Sequence, residues 1–355
     1  MFKRKITRQI FIGPAAVGGS APVSVQSMTK TDTRNVRATV AQIKKLEALG
    51  CEIIRVAVPD MDAAKAIGKI KKSIKIPLIA DIHFDYRLAL EAIKQGVDGL
   101  RLNPGNIGEK ARVEEVVRAA REKPVPIRIG VNAGSIEKEI LQKFGHPTPQ
   151  GAVESAQKHI RILEDLNFEQ IKVSLKFSDV KQTVEAYRLM SESCPYPLHL
   201  GVTEAGTVFT GTVKSAAGLG ILLAEGIGDT IRVSLSGDPK EEVRVGWEIL
   251  KSMGLRQRGV DLVACPTCGR CEIDLSRILA QVEPELAKIE QPIKIAIMGC
   301  AVNGPGEARE ADIGIVGGKG VGLLFRRGEV VKKLKEKDLG KALLAEVQRA
   351  LKNKA

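Results

Sequence analysis

Cys265, Cys268 and Cys271 are evenly spaced in Cys265-Pro266-Thr267-Cys268-Gly269-Arg270-Cys271, with Cys300 downstream and Glu307 beyond it. Four of the six cysteines therefore crowd into one short stretch. In a reducing compartment such density signals a metal centre rather than disulfides. A C-x2-C-x2-C run is closer to an iron–sulfur run than to a zinc ribbon, whose two C-x2-C knuckles are well separated. The second half, Met298–Glu307, offers one thiol and one carboxylate in an Asn-Gly-Pro-Gly turn, where glycine lets backbone approach a bulky cluster. Structural zinc and unliganded core thiols are the competing readings.

A second constellation lies upstream. Apolar, β-branched runs end in polar residues: Arg55; Asp81 and His83; Arg101 and Asn103; Arg128 and Asn132; Lys176; Glu204; Arg232 and Ser234. Any one of these cations could pair with a nearby carboxylate. Five cationic strand ends on one face repel each other and need an anion to hold them together. Guanidinium forks, a lysine and a hydroxyl are the groups that bind phosphate oxygens, so the set fits a multiply charged anion such as a diphosphate. Glu204 is a proton donor or relay, or a salt-bridge partner for a neighbouring arginine. His83 is a substrate ligand or a hydrogen-bonded structural residue. Cys51 and Cys194 lie apart from the cysteine run and read as buried bystanders.

The elements that must position these residues repeat. Eight short runs are Val23–Ser27, Cys51–Val58, Pro77–Phe84, Asp98–Asn103, Pro126–Asn132, Gln170–Phe177, Pro197–Glu204 and Thr230–Ser236. Helix-period segments separate them, as in Val36–Leu49, where Val36, Val40, Ile43, Leu46 and Leu49 share a face. Strand–helix alternation implies right-handed crossovers and a parallel sheet. Eight repeats select a closed (β/α)8 TIM barrel over an open doubly wound sheet, and there is no G-x-G-x-x-G or P-loop at the first βα turn. Gly254–Gly259 reads as a linker. The expected organisation is α/β: a barrel over residues 1–254 that binds the anion, then a smaller α+β iron–sulfur domain over 255–355.

Composition narrows the class. The 355 residues are 44% hydrophobic and carry a net charge of +13. Diffuse positive charge without a basic tail, with only 3% aromatics, suits a phosphorylated ligand at least as well as nucleic acid. No run has the apolar length of a membrane span, and the basic Met1–Lys5 lacks the apolar stretch of a signal peptide. A cytoplasmic protein is expected.

The segments Val25–Thr29, Ala80–Phe84, Arg101–Asn106, Arg128–Asn132, Thr203–Gly206 and Gly226–Ser234, with Cys265–Gly269 and Met298–Glu307, follow one another in a familiar order. In them the chain resembles the bacterial 4-hydroxy-3-methylbut-2-enyl diphosphate synthases, essentially throughout and without the extra central domain of plant-type members. The resemblance implies reductive ring opening and dehydroxylation of 2-C-methyl-D-erythritol 2,4-cyclodiphosphate, in the non-mevalonate isoprenoid pathway. It implies a [4Fe-4S] cluster on Cys265, Cys268, Cys300 and Glu307, fed by a flavodoxin or ferredoxin. It also implies that Arg55, Arg101, Arg128, Lys176 and Arg232, with Asn103, Asn132 and Ser234, grip the diphosphate; Asp81 and His83, at the same strand ends, are expected to bind substrate with them. Glu204 and Glu307 would be catalytic, and the assembly a head-to-tail homodimer. Cys271 stands outside the family's ligand set, and residue types alone would allow an all-thiolate cluster. The rival from another class is a basic, metal-containing barrel acting on tRNA.

Overall fold

A computed structural model describes residues 3–352. The chain divides into two compact units, Met1–Arg256 and Gln257–Ala355. In the first, β1 (Ile10–Ile12) and β2 (Ala15–Val17) form an antiparallel hairpin that the sequence runs did not reveal. Eight parallel strands follow: β3 (Ser24–Met28), β4 (Ile53–Ala57), β5 (Leu78–Asp81), β6 (Gly99–Arg101), β7 (Ile127–Asn132), β8 (Ile171–Lys176), β9 (His199–Leu200) and β10 (Thr230–Ile231). Their order around the sheet is β8-β7-β6-β5-β4-β3-β10-β9, and a Val173–Leu198 bridge joins β8 to β9, closing the barrel. The helices between strands start where side chains cap them. Asn35, Asp60, Asp85, Asp179 and Asp238 each accept a hydrogen bond from a free backbone N–H of the first turn.

Successive strand residues point to opposite faces, and here the parity is distinctive. Ile54, Val56, Leu78, Ala80, Ile127, Ile129, Val131, Ile171, Val173 and Leu175 join the main apolar core with the surrounding helices. The opposite parity turns Gln26, Arg55, Asp81, Arg101, Arg128, Lys172, Ser174, Lys176 and His199 inward, all of them buried. A barrel of this kind usually fills its interior with branched apolar side chains; this one fills it with charge. Only the floor is apolar, where Ile10, Ile12 and Val17 of the hairpin pack on Ile53 and Ile79.

The second unit is a five-stranded sheet. β11 (Val260–Ala264), β12 (Ile293–Met298) and β13 (Ile313–Gly318) are parallel, and β14 (Val321–Arg326) and β15 (Glu329–Lys335) continue it antiparallel. Helices Leu275–Leu286 and Leu339–Lys352 contribute Ile278, Val282, Leu343 and Val347 to the core beneath it. No helix among the described residues is long and apolar enough to cross a membrane.

Candidate active site

The barrel places most of the predicted anion ligands on its inner wall. Arg55 lies mid-strand in β4, and its Nη1 stands 3.7 Å from Asp81 Oδ2. Arg101 ends β6; it donates through Nη2 to the Gly130 carbonyl at 2.7 Å, and its Nη1 lies 3.5 Å from Asp81 Oδ1 and 2.9 Å from His83 Nδ1. Lys176 ends β8 and is buried. Arg232 follows β10, with Nη2 at 3.8 Å from Glu242 Oε2. Arg128 corrects the sequence reading. It is the second residue of β7, not its end, so it sits below the rim, fully buried, with Nη1 on Ser174 Oγ.

Inward glycines make this crowding possible. A Cβ on Gly130 would stand 2.7 Å from Arg101 Nε, and one on Gly201 would stand 2.9 Å from Lys176 Nζ. Six basic side chains thus line the lumen (Arg55, Arg101, Arg128, Lys172, Lys176 and Arg232) against the carboxylates of Asp81 and Glu242. Like charges crowded into one bore repel each other, so the set is unfavourable until an anion arrives. Arg55 Nε, Arg128 Nε and Nη2, and Arg232 Nε have no hydrogen-bond partner among the described residues.

The titrating groups register this field. Burial alone would push the Asp81 carboxyl up, but Arg55, then His83 with its Nε2 at 3.7 Å from Oδ1, Arg101 and Arg128 together hold it below the usual carboxylate range. Burial first, then Arg128, Arg232, Arg55 and Arg101, pull Lys176 well below an ordinary lysine.

The remaining predicted ligands divide. Asn103 spends its amide on Gly130, donating to the carbonyl at 3.1 Å and accepting from the N–H at 2.9 Å, so it sets the Arg101 wall. Asn132 ends β7 with its backbone tied to Ser135 Oγ, and Ser234 lies half-buried two residues beyond Arg232. His83 is exposed at the rim. Glu204 is exposed in the loop after β9 with φ +50°. A side chain held in the left-handed region costs about 1–2 kcal/mol, and such strain concentrates at functional positions.

Several residues were missed. Lys172, Ser174, His199 and Gln26 lie inside strands, where attention to strand ends could not find them; their signal was the polar parity of Ile171-Lys172-Val173-Ser174-Leu175-Lys176. Buried Glu242 gave no such signal, since it lies on helix Pro239–Ser252; it accepts from Ser27 Oγ at 3.1 Å and backs Arg232. Cys51 and Cys194 are buried away from the lumen, and burial pushes their thiols up to about 12 and about 11.

In the second unit the cysteines gather at one end of the sheet. Cys265 follows β11, with its N–H on the Ile297 carbonyl at 3.0 Å, and Cys300 follows β12. Thr267 has φ +53°, and the Cys271 N–H returns to the Cys268 carbonyl at 2.9 Å, curling the run into a turn. Glu307 is exposed on the short helix Gly304–Arg309. Cys271 differs: its Sγ donates to the Ile273 carbonyl at 3.2 Å and fills the space beside Gly299, where a Cβ would lie 2.4 Å away. No three His, Cys, Asp or Glu among the described residues converge as for a single metal ion. A cubane cluster takes its ligands at separate corners, so what the loops must supply is donors and room. Cys265, Cys268 and Cys300 are free thiols, and the Cβ directions of Gly269 and Gly306 open onto empty space; the donor set fits.

The profile of the GcpE TIM-barrel domain matches residues 7–247, and that of the GcpE protein C-terminal domain matches 261–349. A protein of Geobacter sulfurreducens named 4-hydroxy-3-methylbut-2-en-1-yl diphosphate synthase (flavodoxin) is 64% identical over 98% of this chain and 99% of its own. Another of that name, from Thermodesulfovibrio yellowstonii, is 60% identical over 98% of this chain and 100% of its own. Among solved structures, dihydropteroate synthase from Stenotrophomonas maltophilia aligns at TM-score 0.51 and 12% identity, over 70% of this chain and 97% of that one. That likeness concerns the barrel fold alone.

Proposed function

The chain belongs to the GcpE family, and on that premise we propose that it is a 4-hydroxy-3-methylbut-2-en-1-yl diphosphate synthase that takes electrons from flavodoxin. The substrate is 2-C-methyl-D-erythritol 2,4-cyclodiphosphate. Two electrons and a proton open the ring at a C–O bond and expel a hydroxyl as water, leaving (E)-4-hydroxy-3-methylbut-2-enyl diphosphate. The observation that carries this reading is the near-whole-length identity to relatives bearing that name, across both units. The tRNA alternative has no support.

In this reading the barrel's cations grip the diphosphate. Arg55, Arg101, Arg128, Lys176 and Arg232 supply charge and forked donors, with Asn132 and Ser234 at the rim and Asn103 fixing the wall behind Arg101. Asp81 keeps Arg55, Arg101 and His83 in place between turnovers. Glu204, presented from a strained loop position, supplies the proton to the departing hydroxyl. Cys265, Cys268, Cys300 and Glu307 would hold a [4Fe-4S] cluster. When bound, such a cluster supplies single electrons and a Lewis-acidic iron. Carboxylate is a harder and more exchangeable ligand than thiolate, so Glu307 would be the member of the set most readily released. Cys271, already committed to Ile273, is a spectator.

A head-to-tail homodimer completes the proposal, as the family resemblance implies. Helix Val208–Ala224 supports self-association by exposing Phe209 (81%), Val213 and Ile221 along one face with Ala216 and Ala217. The test is anaerobic purification, iron and sulfide analysis, and turnover of the cyclodiphosphate with a one-electron reductant. About four irons per chain and formation of the hydroxybutenyl diphosphate are expected. Iron-loaded protein without turnover would reopen the substrate, and zinc in place of iron would remove the redox chemistry.

A further inference from the structure

The lumen has a second tier below its rim. Lys172 lies four residues before Lys176 on the same face of β8, and Arg128 is its register partner on β7. Gln26 of β3 and His199 of β9 face the same space by strand parity. Among the described residues, Lys172 Nζ, both amide atoms of Gln26, His199 Nε2, and Arg128 Nε and Nη2 are buried without a hydrogen-bond partner. Interiors rarely tolerate that many orphaned polar atoms in one place. They require a guest that both donates and accepts, which is water. His199 Nδ1 is fixed on Thr230 Oγ1 at 2.7 Å, leaving Nε2 for that guest.

Charge makes Lys172 the unusual member. The groups that act on it are Arg128 from β7, Arg55 from β4 and Asp229 from the turn before β10; His199 on β9 and Lys176 on its own strand share the same field. Asp229 is already committed, accepting from Thr7 Oγ1 at 3.0 Å and the Leu198 N–H at 2.9 Å. Burial first, then Arg128 and Arg55, lower the affinity of Lys172 for its proton; burial, then Lys176, Arg128, Lys172 and Arg55, do the same to His199.

We propose that this tier is a proton-accepting floor of the anion site, in which water links Gln26, His199 and Lys172, and Lys172 passes from amine to ammonium when a polyanion enters above it. The inference rests on the anion site proposed for the barrel. The step moves one proton from solvent buffer to the lone pair of Nζ; one N–H bond forms, and no electron is transferred. The empty barrel thereby avoids one of its uncompensated cations, and the occupied barrel regains it where it is needed.

The experiment is titration calorimetry of the full chain with inorganic pyrophosphate, in buffers of differing ionisation enthalpy at one pH. Wild type should take up more protons on binding than Lys172→Met, the difference approaching one per site. The titration of pyrophosphate itself cancels in that difference. The affinity of wild type should also weaken faster with rising pH, by up to about tenfold per pH unit relative to the variant. Inorganic sulfate, which does not titrate near neutrality, should show net uptake with wild type and less with Lys172→Met. Binding without proton uptake overturns the inference and leaves the anion site standing, as does uptake undiminished in Lys172→Met. Failure of wild type to bind either anion removes both.

Discussion

Gly130→Ala tests the cationic wall with a single methyl group. Gly130 lies in β7 with ordinary extended backbone, so alanine brings no conformational penalty of its own. Its Cβ, however, would stand 2.7 Å from Arg101 Nε and 3.2 Å from Nη2, whereas ordinary contact begins at 3.4 Å. The guanidinium must retreat by about 0.7 Å, the gap between the first and last of those distances. It is not free to do so without loss, because it is held by Gly130 O at 2.7 Å and His83 Nδ1 at 2.9 Å. A charge-assisted hydrogen bond is worth about 1.5–3 kcal/mol. Misplacing one arginine should therefore weaken binding of the cyclodiphosphate by roughly tenfold to a hundredfold. Overpacking should cost about 1–3 kcal/mol of stability, which a domain of ordinary stability survives. Calorimetric titration and thermal denaturation read the two effects separately. Gly134→Ala is the control, since nothing lies within 4 Å of its Cβ, and it should be silent in both. Wild-type affinity in a folded Gly130→Ala protein would refute Arg101 as an anion ligand.

Further outcomes follow from other parts of the molecule. Cys271→Ser should keep iron and turnover, because its thiol serves Ile273, whereas Glu307→Ala should lose turnover; the opposite pattern, read by iron analysis and product formation, reassigns the fourth ligand. The Asp81 carboxyl is held low in the folded protein, so its contribution to stability is present above about pH 4 and is lost as pH falls through the folded value. Asp81→Asn should flatten that part of the acid-unfolding curve, and an unchanged curve would mean the carboxylate is not engaged. Lys172 and Lys176 behave in the opposite sense. Their folded values are lowered, the unfolded chain binds more protons, and without an anion the melting temperature should rise as pH climbs towards the ordinary lysine value of about 10; a fall on that approach contradicts uncompensated buried amines. Phe209→Asp, at an 81% exposed position, should shift sedimentation from dimer towards monomer, and an unaltered sedimentation profile excludes that face.

Much of the barrel was legible because β-branched runs alternate with helix-period segments; seven of the eight runs contain a strand, and Val23–Ser27 overlaps β3, which ends at Met28. The ends of runs were less legible. Pro197–Glu204 and Thr230–Ser236 yield only the short pairs His199–Leu200 and Thr230–Ile231, since their later residues turn into loops, Glu204 at positive φ among them. Some elements passed unnoticed for want of local signal: the hairpin of three-residue strands, β11, whose alternation is weak, and β15, which is rich in lysine; the Asn-Gly-Pro-Gly turn proves to open the short helix Gly304–Arg309. In the site, Asp81, Arg101, Lys176 and Arg232 were readable at or just beyond the ends of apolar runs, and Arg55 as a lone charge within one. Lys172 and His199 were not, because a polar residue alternating with apolar ones is ordinarily taken as solvent-facing; only closure of the barrel makes that parity the inside. The task of Asn103 was invisible too, because its partner Gly130 is a backbone group on another strand.

The inverted parity of the barrel strands divides labour as a pipe does, with mechanical strength in the wall and chemistry in the bore. The annulus between strands and helices carries the apolar packing, so bore residues can be exchanged without dissolving the cohesion of the wall. Substitution tolerance along β7 and β8 should then oscillate residue by residue: Ile129, Val131, Val173 and Leu175 intolerant of polarity, and Ser174 and Lys172 open to it. A scan for retained folding, read independently of activity, would trace that oscillation, and the bore could be refitted for other anions while the pipe stayed whole.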